Sequence, residues 1–542
     1  MATPVLLYLL ALLARALAAA GFPDPAYPDS FYYVDAARAM AAGRGMEVDF
    51  VWIFAEVGGH LPAHPTLPIP AFGHWMPLAS FVQIPFLWLL GPVPVASVLP
   101  FVLVGALAAP LAWAIARDAG LPQRAALAAG ILVAVPGLLL PFLAQPDNFG
   151  LYEPIVAGAL WFTSRALRGQ GWAFVAAAGL AGLAVLSRND GWLVVMVLVI
   201  AAIWDRRMGR SGWVRPIRIP PRAMVGAALV LGLIVGPWYA RQLATFGTLS
   251  PSAASGKALF IRDIGEWDSI STPATLDHLL AMGLGPFLAS RLLGVLAAVG
   301  IFTVLVGGVA LAPLALLGAW RQRRSMVFGP FLAYAVLLFA FSGLVSAVHV
   351  PGGTFIHSAV ALAPHTAVLV ADGIMGAVAW TARRRPAWRP AEAERVFLGA
   401  AVAWMAALAV IGTLSVHQTW AAKRERMVSV AAALDEAGAP PTDRLMSIDA
   451  AGYRYQTGRG GIVLPNDPLP VIEKAARAYG IRWLVLERDD AVAAVAPILL
   501  ADERPDWIGP AIWRDGTEVA VYPICTGLGD GRCAATRGGG GG

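Results

Sequence analysis

The chain has 542 residues, 58% hydrophobic and 14% charged, with a formal net charge of +6 at pH 7. Soluble domains carry about a quarter charged residues, so this composition, with a mean hydropathy of +0.66, excludes an ordinary soluble enzyme and points to a polytopic membrane protein. The excess positive charge lies mostly in arginine clusters between apolar runs, the pattern of the positive-inside rule, and gives no reason to expect a nucleic-acid partner.

Residues 2–20 form the first apolar run, long enough to cross a bilayer. Helices are expected for the spans, because backbone polar groups in lipid must be satisfied within each segment. The run ends in Ala18-Ala19-Ala20, which resembles a signal-peptide cleavage site, but no basic segment precedes it. Arg15 inside the run is unusual for an anchor and for a leader alike. On either reading residue 21 begins outside.

Residues 21–91 are expected as a first outer loop with juxtamembrane helices. The loop holds Asp24, Asp29, Asp35, Glu47, Asp49 and Glu56 against Arg38 and Arg44, and residues 34–43 suit a short amphipathic helix. Asp29, a few residues past the first span, is the sharpest candidate. A carboxylate at the water–lipid boundary can act as general base on a substrate with a lipid tail and an aqueous head. It can equally open a helix, since Pro28-Asp29-Ser30 is a good helix start. His60, His64 and His74 share the loop and invite a metal, though the proline-rich surroundings favour hydrogen-bonded imidazoles. Trp52, Trp75 and Trp88 suit an interfacial belt at least as well as sugar stacking. Residues 76–90 are too short to cross comfortably and are expected to lie along the outer surface.

Further spans are expected at 93–116, 125–144, 152–167, 171–187, 191–205, 223–243, 291–319, 326–347, 358–380 and 396–416. With the first run the total is about eleven. Arginine turns at 117 and 124, 165 and 168, 206–222, 321–324 and 383–385 put the N-terminus inside and the C-terminus outside. Polar residues then collect on the outer face: Asp147, Glu153, Arg188, Asn189, Asp190, Arg241, His349 and His357, with Asp29. Carboxylates gathered at one membrane face are candidates for base, acceptor positioning or metal ligation. Asp147 can instead begin a turn. Arg188 and Arg241 suit phosphate, whose oxygens accept two parallel guanidinium bonds. Arg188 can also pair with Asp190, and Arg241 can snorkel. His349 and His357 flank a Gly-Gly turn that can meet a sugar or pyrophosphate-like head.

After residue 417 the composition changes. Residues 445–449, 461–465, 482–487 and 517–523 read as strands, and 468–479 and 490–502 as helices. Residues 418–526 are therefore expected as a small extracytoplasmic α/β domain, with 527–542 as a flexible glycine-rich tail. Cys525 and Cys533 can be joined in an exported tail or remain two thiols. The expected fold is mainly α: a polytopic transmembrane helix bundle over residues 1–417 with this domain outside.

Four segments resemble the GT-C superfamily of membrane glycosyltransferases, in particular the protein O-mannosyltransferase and lipid A aminoarabinose transferase group. They are Tyr27 to Tyr33, His74-Trp75-Met76-Pro77-Leu78, Gln145 to Glu153, and Gly236-Pro237-Trp238-Tyr239 with Phe246 to Pro251. Gly458-Arg459 to Asn466 resembles the outer domain of some members. The resemblance implies transfer of a sugar from a polyprenyl-phosphate donor to a lipid, glycan or protein acceptor, with inversion. It gives Asp29 the role of base. Asp147 takes the second acidic site, with Glu153 beside it for acceptor or metal positioning. Such families often hold the donor phosphate with Arg or Lys in the penultimate outer loop. Here Gly352 to Ser358 contains neither, which leaves His357, Arg241, Lys257 or Arg188 for the phosphate. No cofactor is certain, and a divalent cation is the one candidate. The resemblance implies a plasma-membrane enzyme that uses membrane lipid, and the first loop with residues around 245–275 can close over its site to exclude water. A transporter or flippase needs mid-span charge and paired repeats, of which the sequence shows few signs. A polymerase or ligase of lipid-linked glycans shares the layout but uses Arg and His on a large late loop.

Overall fold

The computed structural model describes residues 2–210, 218–250, 254, 257, 259–345, 353–385, 387–489 and 492–525. The chain divides into two units. The first comprises Met1–Asp24, Met76–Pro251 and Gly285–His417, and the second Pro25–Trp75, Ser252–Leu284 and Gln418–Gly542.

The first unit is helical. Seven helices among the described residues have the length and apolarity to cross a membrane: α1 (Ala2–Gly21), Pro94–Asp118, Gln123–Leu143, Pro221–Phe246, Leu284–Val306, Phe355–Ala382 and Pro390–Glu436. Three apolar helical stretches are shorter: Leu78–Leu90, Ala173–Ser187 and Gly329–Val345. The expected run at 291–319 is broken. Leu284–Val306 stops at Gly307, Gly308 has φ 52° and Val309 φ 60°, and Ala312–Gln322 starts afresh with a proline in its first turn. Left-handed backbone cannot continue a right-handed helix, so apolarity persists where the helix does not.

Small residues set the closest crossing in this unit. A Cβ at Gly318 would lie 2.0 Å from the Leu369 carbonyl oxygen, and one at Gly373 2.0 Å from that of Leu314. Ala312–Gln322 and Ala363–Ala382 therefore meet backbone to backbone, as small-residue faces allow in membranes. Elsewhere Ala18, Leu140, Ala144 and Ala409 form a buried apolar cluster. Arg15, fully buried on α1, pairs with the equally buried Glu153 at 2.9 Å, which accounts for a cation within an apolar run.

The second unit carries a six-stranded sheet. Its strands are β2 (Phe50–Val51), β4 (Arg444–Ser447), β5 (Gly461–Val463), β6 (Ile481–Glu487), β7 (Trp513–Asp515) and β8 (Val519–Pro523). The order is β2-β5-β4-β6-β8-β7. The first three pairings are parallel and the last two antiparallel. The ribbon β1 (Glu47–Val48) and β3 (Ile69–Pro70) stands apart from it. Thus the acidic first loop supplies an edge strand to a sheet otherwise built from residues after 440, with Phe50 opposite Gly461 and Val51 opposite Ile462. Helices Ala450–Thr457, Leu469–Tyr479 and Ala496–Ala501 alternate with the strands.

The helix expected at 34–43 begins earlier, as α2 (Pro28–Ala41). The Ser30 hydroxyl accepts from the Ala26 and Tyr27 amides at 2.9 and 3.1 Å and donates to the Tyr27 carbonyl. These bonds satisfy groups that a helix start leaves open. One face of α2 packs on Ala450–Thr457, where Phe31 lies 5.4 Å from Tyr455 and Arg38 covers the same ring at 4.8 Å. The helix Pro390–Glu436 runs 47 residues, beyond the apolar span expected to end at 416. Apolarity stops there, but Ala, Lys, Arg, Glu and Met continue and favour helix.

Candidate active site

In the first unit four chain segments converge on one polar cluster. Asp147 caps the helix Asn148–Leu167 in extended conformation, and its Oδ1 accepts the Asn148 amide at 2.5 Å. Asp147 is fully buried. Its Oδ2 lies 3.9 Å from His357 Nδ1, on the helix Gly353–Ala359. His357 also stacks on Phe149 with centroids 4.6 Å apart, which fixes the plane of the ring.

Ser358 links this pair to the Arg188–Asp190 turn. Its hydroxyl donates to Asp190 and accepts from Arg188 Nε at 2.9 Å. Arg188 also pairs with Asp190 at 3.0 Å, the ion pair open at the sequence level. Its guanidinium stands 6.0 Å from the Tyr152 ring. The Tyr152 and Tyr334 hydroxyls are 3.3 Å apart, which brings the helix Gly329–Ala340 into the cluster. Two buried carboxylates, an imidazole, three hydroxyls and a guanidinium thus gather in the helical unit.

Other candidates of this unit lie differently. Glu153 belongs to the Arg15 pair. Arg241 lies over Trp238 and Phe246, 5.3 and 5.0 Å from the ring centres. His349 falls outside the described residues.

Asp29 lies in the second unit, in the first turn of α2 and 9% exposed. The cap of this helix is Tyr27 rather than Asp29, and an acidic side chain in the first turn gains from the helix dipole. Close in sequence is a buried acid that the sequence pattern places in the loop without a role. Glu56 accepts from the Tyr32 hydroxyl at 3.1 Å and the Trp52 amide at 3.2 Å. Burial outweighs these bonds and pushes its carboxyl up to about 7. Tyr32 also receives the Phe72 amide at 2.6 Å, so one phenol ties together three parts of the first loop. His74 sits among Trp52, Trp75 and Trp267, with centroids 4.5–5.6 Å away; its environment is aromatic. The His60 ring lies 3.1 Å from the Gly58 carbonyl. Lys257 donates to the same carbonyl, and burial lowers its ammonium below the usual range. In the stretch expected to cover the site, burial raises Asp268 to about 8. Asp467 holds Ser269, Ser271 and the Ile270 amide, the last at 2.6 Å. Cys525 is described and Cys533 is not.

Ser358, Tyr334 and the Arg15–Glu153 pairing escaped sequence reading. Ser358 adjoins a marked histidine and Arg15 was conspicuous, but neither position reveals its partner.

Residues 69–240 match the protein family described as dolichyl-phosphate-mannose-protein mannosyltransferase. No curated protein matches the chain by sequence. Among solved structures, ArnT from Cupriavidus metallidurans bound to undecaprenyl phosphate superposes with a TM-score of 0.56 at 14% identity, covering 96% of this chain and 97% of that one. The Archaeoglobus fulgidus oligosaccharyltransferase in complex with Zn and sulfate gives 0.57 at 16%, over 97% and 73%. The same enzyme tethered to an acceptor peptide gives 0.54 at 16%, over 92% and 69%. The chain therefore shares the fold of these solved membrane proteins. The stretch matching the family contains Asp147, Tyr152, Arg188 and Asp190 of the polar cluster, together with Glu153. Asp29 and His357 lie outside that stretch.

Proposed function

We propose that the protein transfers a sugar from a polyprenyl-phosphate donor to an acceptor (lipid, glycan or protein) at the extracytoplasmic face of the plasma membrane, with inversion at the anomeric carbon. The carrying observation is that the polar cluster of the helical unit falls largely within the stretch matching a mannosyltransferase family. The fold is shared with a protein solved with undecaprenyl phosphate and with another solved with an acceptor peptide. In this reading the N-terminus is inside, and the domain formed after residue 417 is outside.

Asp29 is the general base. Its carboxylate takes the proton of the acceptor hydroxyl or amine, and the freed heteroatom attacks the anomeric carbon from the face opposite the phosphate. The bond from that carbon to the phosphate oxygen breaks, and the electron pair leaves on the lipid phosphate. A lipid phosphate is a good leaving group, so no nucleotide is required outside. His357, Arg188, Arg241 and Lys257 are the candidate donors to that phosphate, and hydrogen bonds aimed at developing charge are usually a large part of catalysis. Asp147 serves acceptor positioning, 3.9 Å from His357 Nδ1. Glu153 shapes the acceptor side through its pair with Arg15. Asp147 and His357 also offer two donors to a divalent cation. Hard cations take six or more ligands, so this pair does not make a full coordination sphere, and no step is assigned to a metal.

The test is an in vitro assay with radiolabelled polyprenyl-phosphate sugars, run with and without EDTA. Asp29→Asn is expected to lower transfer by about 10²-fold or more while the protein still inserts and elutes as the wild type does. Full activity of Asp29→Asn would remove the base assignment. Failure of every lipid-phosphate sugar to act as donor would overturn the proposal itself. Activity unchanged by EDTA removes the cation.

A further inference from the structure

Away from the polar cluster, the first unit has a cavity of about 520 Å³ between the helices Ala173–Ser187, Trp192–Arg210 and Pro221–Phe246. Its walls are almost wholly apolar, with Phe174, Leu198, Ile203 and Leu231 among them. Arg206 and Arg207 are its only charged lining residues. They sit on consecutive positions near the C-terminal end of Trp192–Arg210. The Arg206 Nε is buried and has no hydrogen-bond partner, and one Nη touches the thioether sulfur of Met224 at 3.1 Å. Among the described residues neither arginine has a carboxylate partner. The neighbouring acid, Asp205, is buried and accepts the Arg218 and Ile219 amides at 2.9 Å each, so it is engaged by backbone.

Arg206 is half-buried and Arg207 exposed, and a guanidinium desolvated in part beside an apolar cavity with no counter-charge favours an anion. A molecule with a hydrocarbon tail and an anionic phosphate head matches both parts of the site: tail against the apolar walls, phosphate on the guanidinium pair. Helices of this composition are surrounded by lipid, so such molecules are at hand. We propose that this cavity is a binding site for an anionic glycerophospholipid of the surrounding bilayer, held by Arg206 and Arg207. The site is separate from the sugar-transfer cluster and does not depend on the proposed activity.

The full-length protein, purified in a mild detergent, is exposed to equimolar phosphatidylglycerol and phosphatidylcholine, and retained lipid is counted by native mass spectrometry. Wild type is expected to retain phosphatidylglycerol preferentially. The double substitution Arg206→Ala, Arg207→Ala is expected to lower that preference by about tenfold or more, the scale for two basic residues facing anionic lipid. Ala228→Trp lines the cavity with bulk but keeps both arginines, and is expected to lose retention as well. Arg206→Lys with Arg207→Lys is expected to keep most of it, and serves should the alanine pair fail to fold. Equal retention of the two lipids by wild type overturns the proposal. So does unchanged preference after Ala228→Trp, which would mean surface charge alone. Displacement of phosphatidylglycerol by equimolar undecaprenyl phosphate reassigns the cavity to the carrier lipid and likewise overturns it.

Discussion

Replacing Arg15 with methionine tests the packing of the helical unit directly. Arg15 and Glu153 are both 0% exposed and share one hydrogen bond of 2.9 Å. Arg15 Nε and Nη1 and Glu153 Oε1 have no partner among the described residues. The pair is therefore poorly compensated for its loss of solvent, each unmade bond costing about 1–3 kcal/mol. Removing the guanidinium alone strands a buried carboxylate, and breaking one side of such a pair costs about 3–5 kcal/mol. Removing both charges relieves it, because apolar replacements of buried pairs are often neutral or stabilising by about 1–4 kcal/mol. Arg15→Met is thus expected to be strongly destabilised, and Arg15→Met with Glu153→Leu to return to wild-type stability or above. Unfolding in mixed micelles, followed by tryptophan fluorescence, compares the three proteins under one condition. If the double variant is as unstable as Arg15→Met, or the single variant loses less than about 1 kcal/mol, the pair does not carry the charge balance described here.

Asp147→Asn is expected to keep the helix cap, since Asn caps as well as Asp, so thermal stability stays near wild type while transfer falls. His357→Phe is expected to keep the stack on Phe149 but to lower transfer by about 10²-fold in the labelled-donor assay. For Glu56, the folded carboxyl is raised to about 7 from 4.5, so the folded state binds the proton more tightly than the unfolded chain. Its stabilising contribution is complete below pH 4.5 and is lost as pH rises through about 7. This amounts to roughly 3 kcal/mol. Glu56→Gln is expected to flatten that part of the stability–pH profile, and a profile identical to wild type would contradict the burial argument. Gly318→Ala sets a methyl against the Leu369 carbonyl and is expected to cost about 1–3 kcal/mol or more, measured as thermal stability in detergent; an exposed glycine such as Gly329 serves as control.

The sequence by itself determined the apolar helices, since hydrophobic length and the need to satisfy backbone groups in lipid are local properties. It also determined the strands after residue 440, close to β4, β5, β6 and β8, because β-branched runs bounded by turn residues carry their own signal. The polar positions at the helix ends were legible for a similar reason: charge in an apolar context is conspicuous. Partnerships were not. Arg15 and Glu153 lie 138 positions apart, and Ser358 reaches Asp190 across 168; no local pattern encodes such pairings. The loop strand β2 has two residues, too few for any periodicity, and exists because Gly461 and Ile462 offer it an edge. The break near Gly308 lay hidden in an apolar run, because hydropathy records affinity for lipid and says nothing of the sign of φ. Composition decides which segments leave water, whereas packing decides which side chains then meet. In a low-dielectric interior that second choice sets which charges are neutralised and which stay able to act.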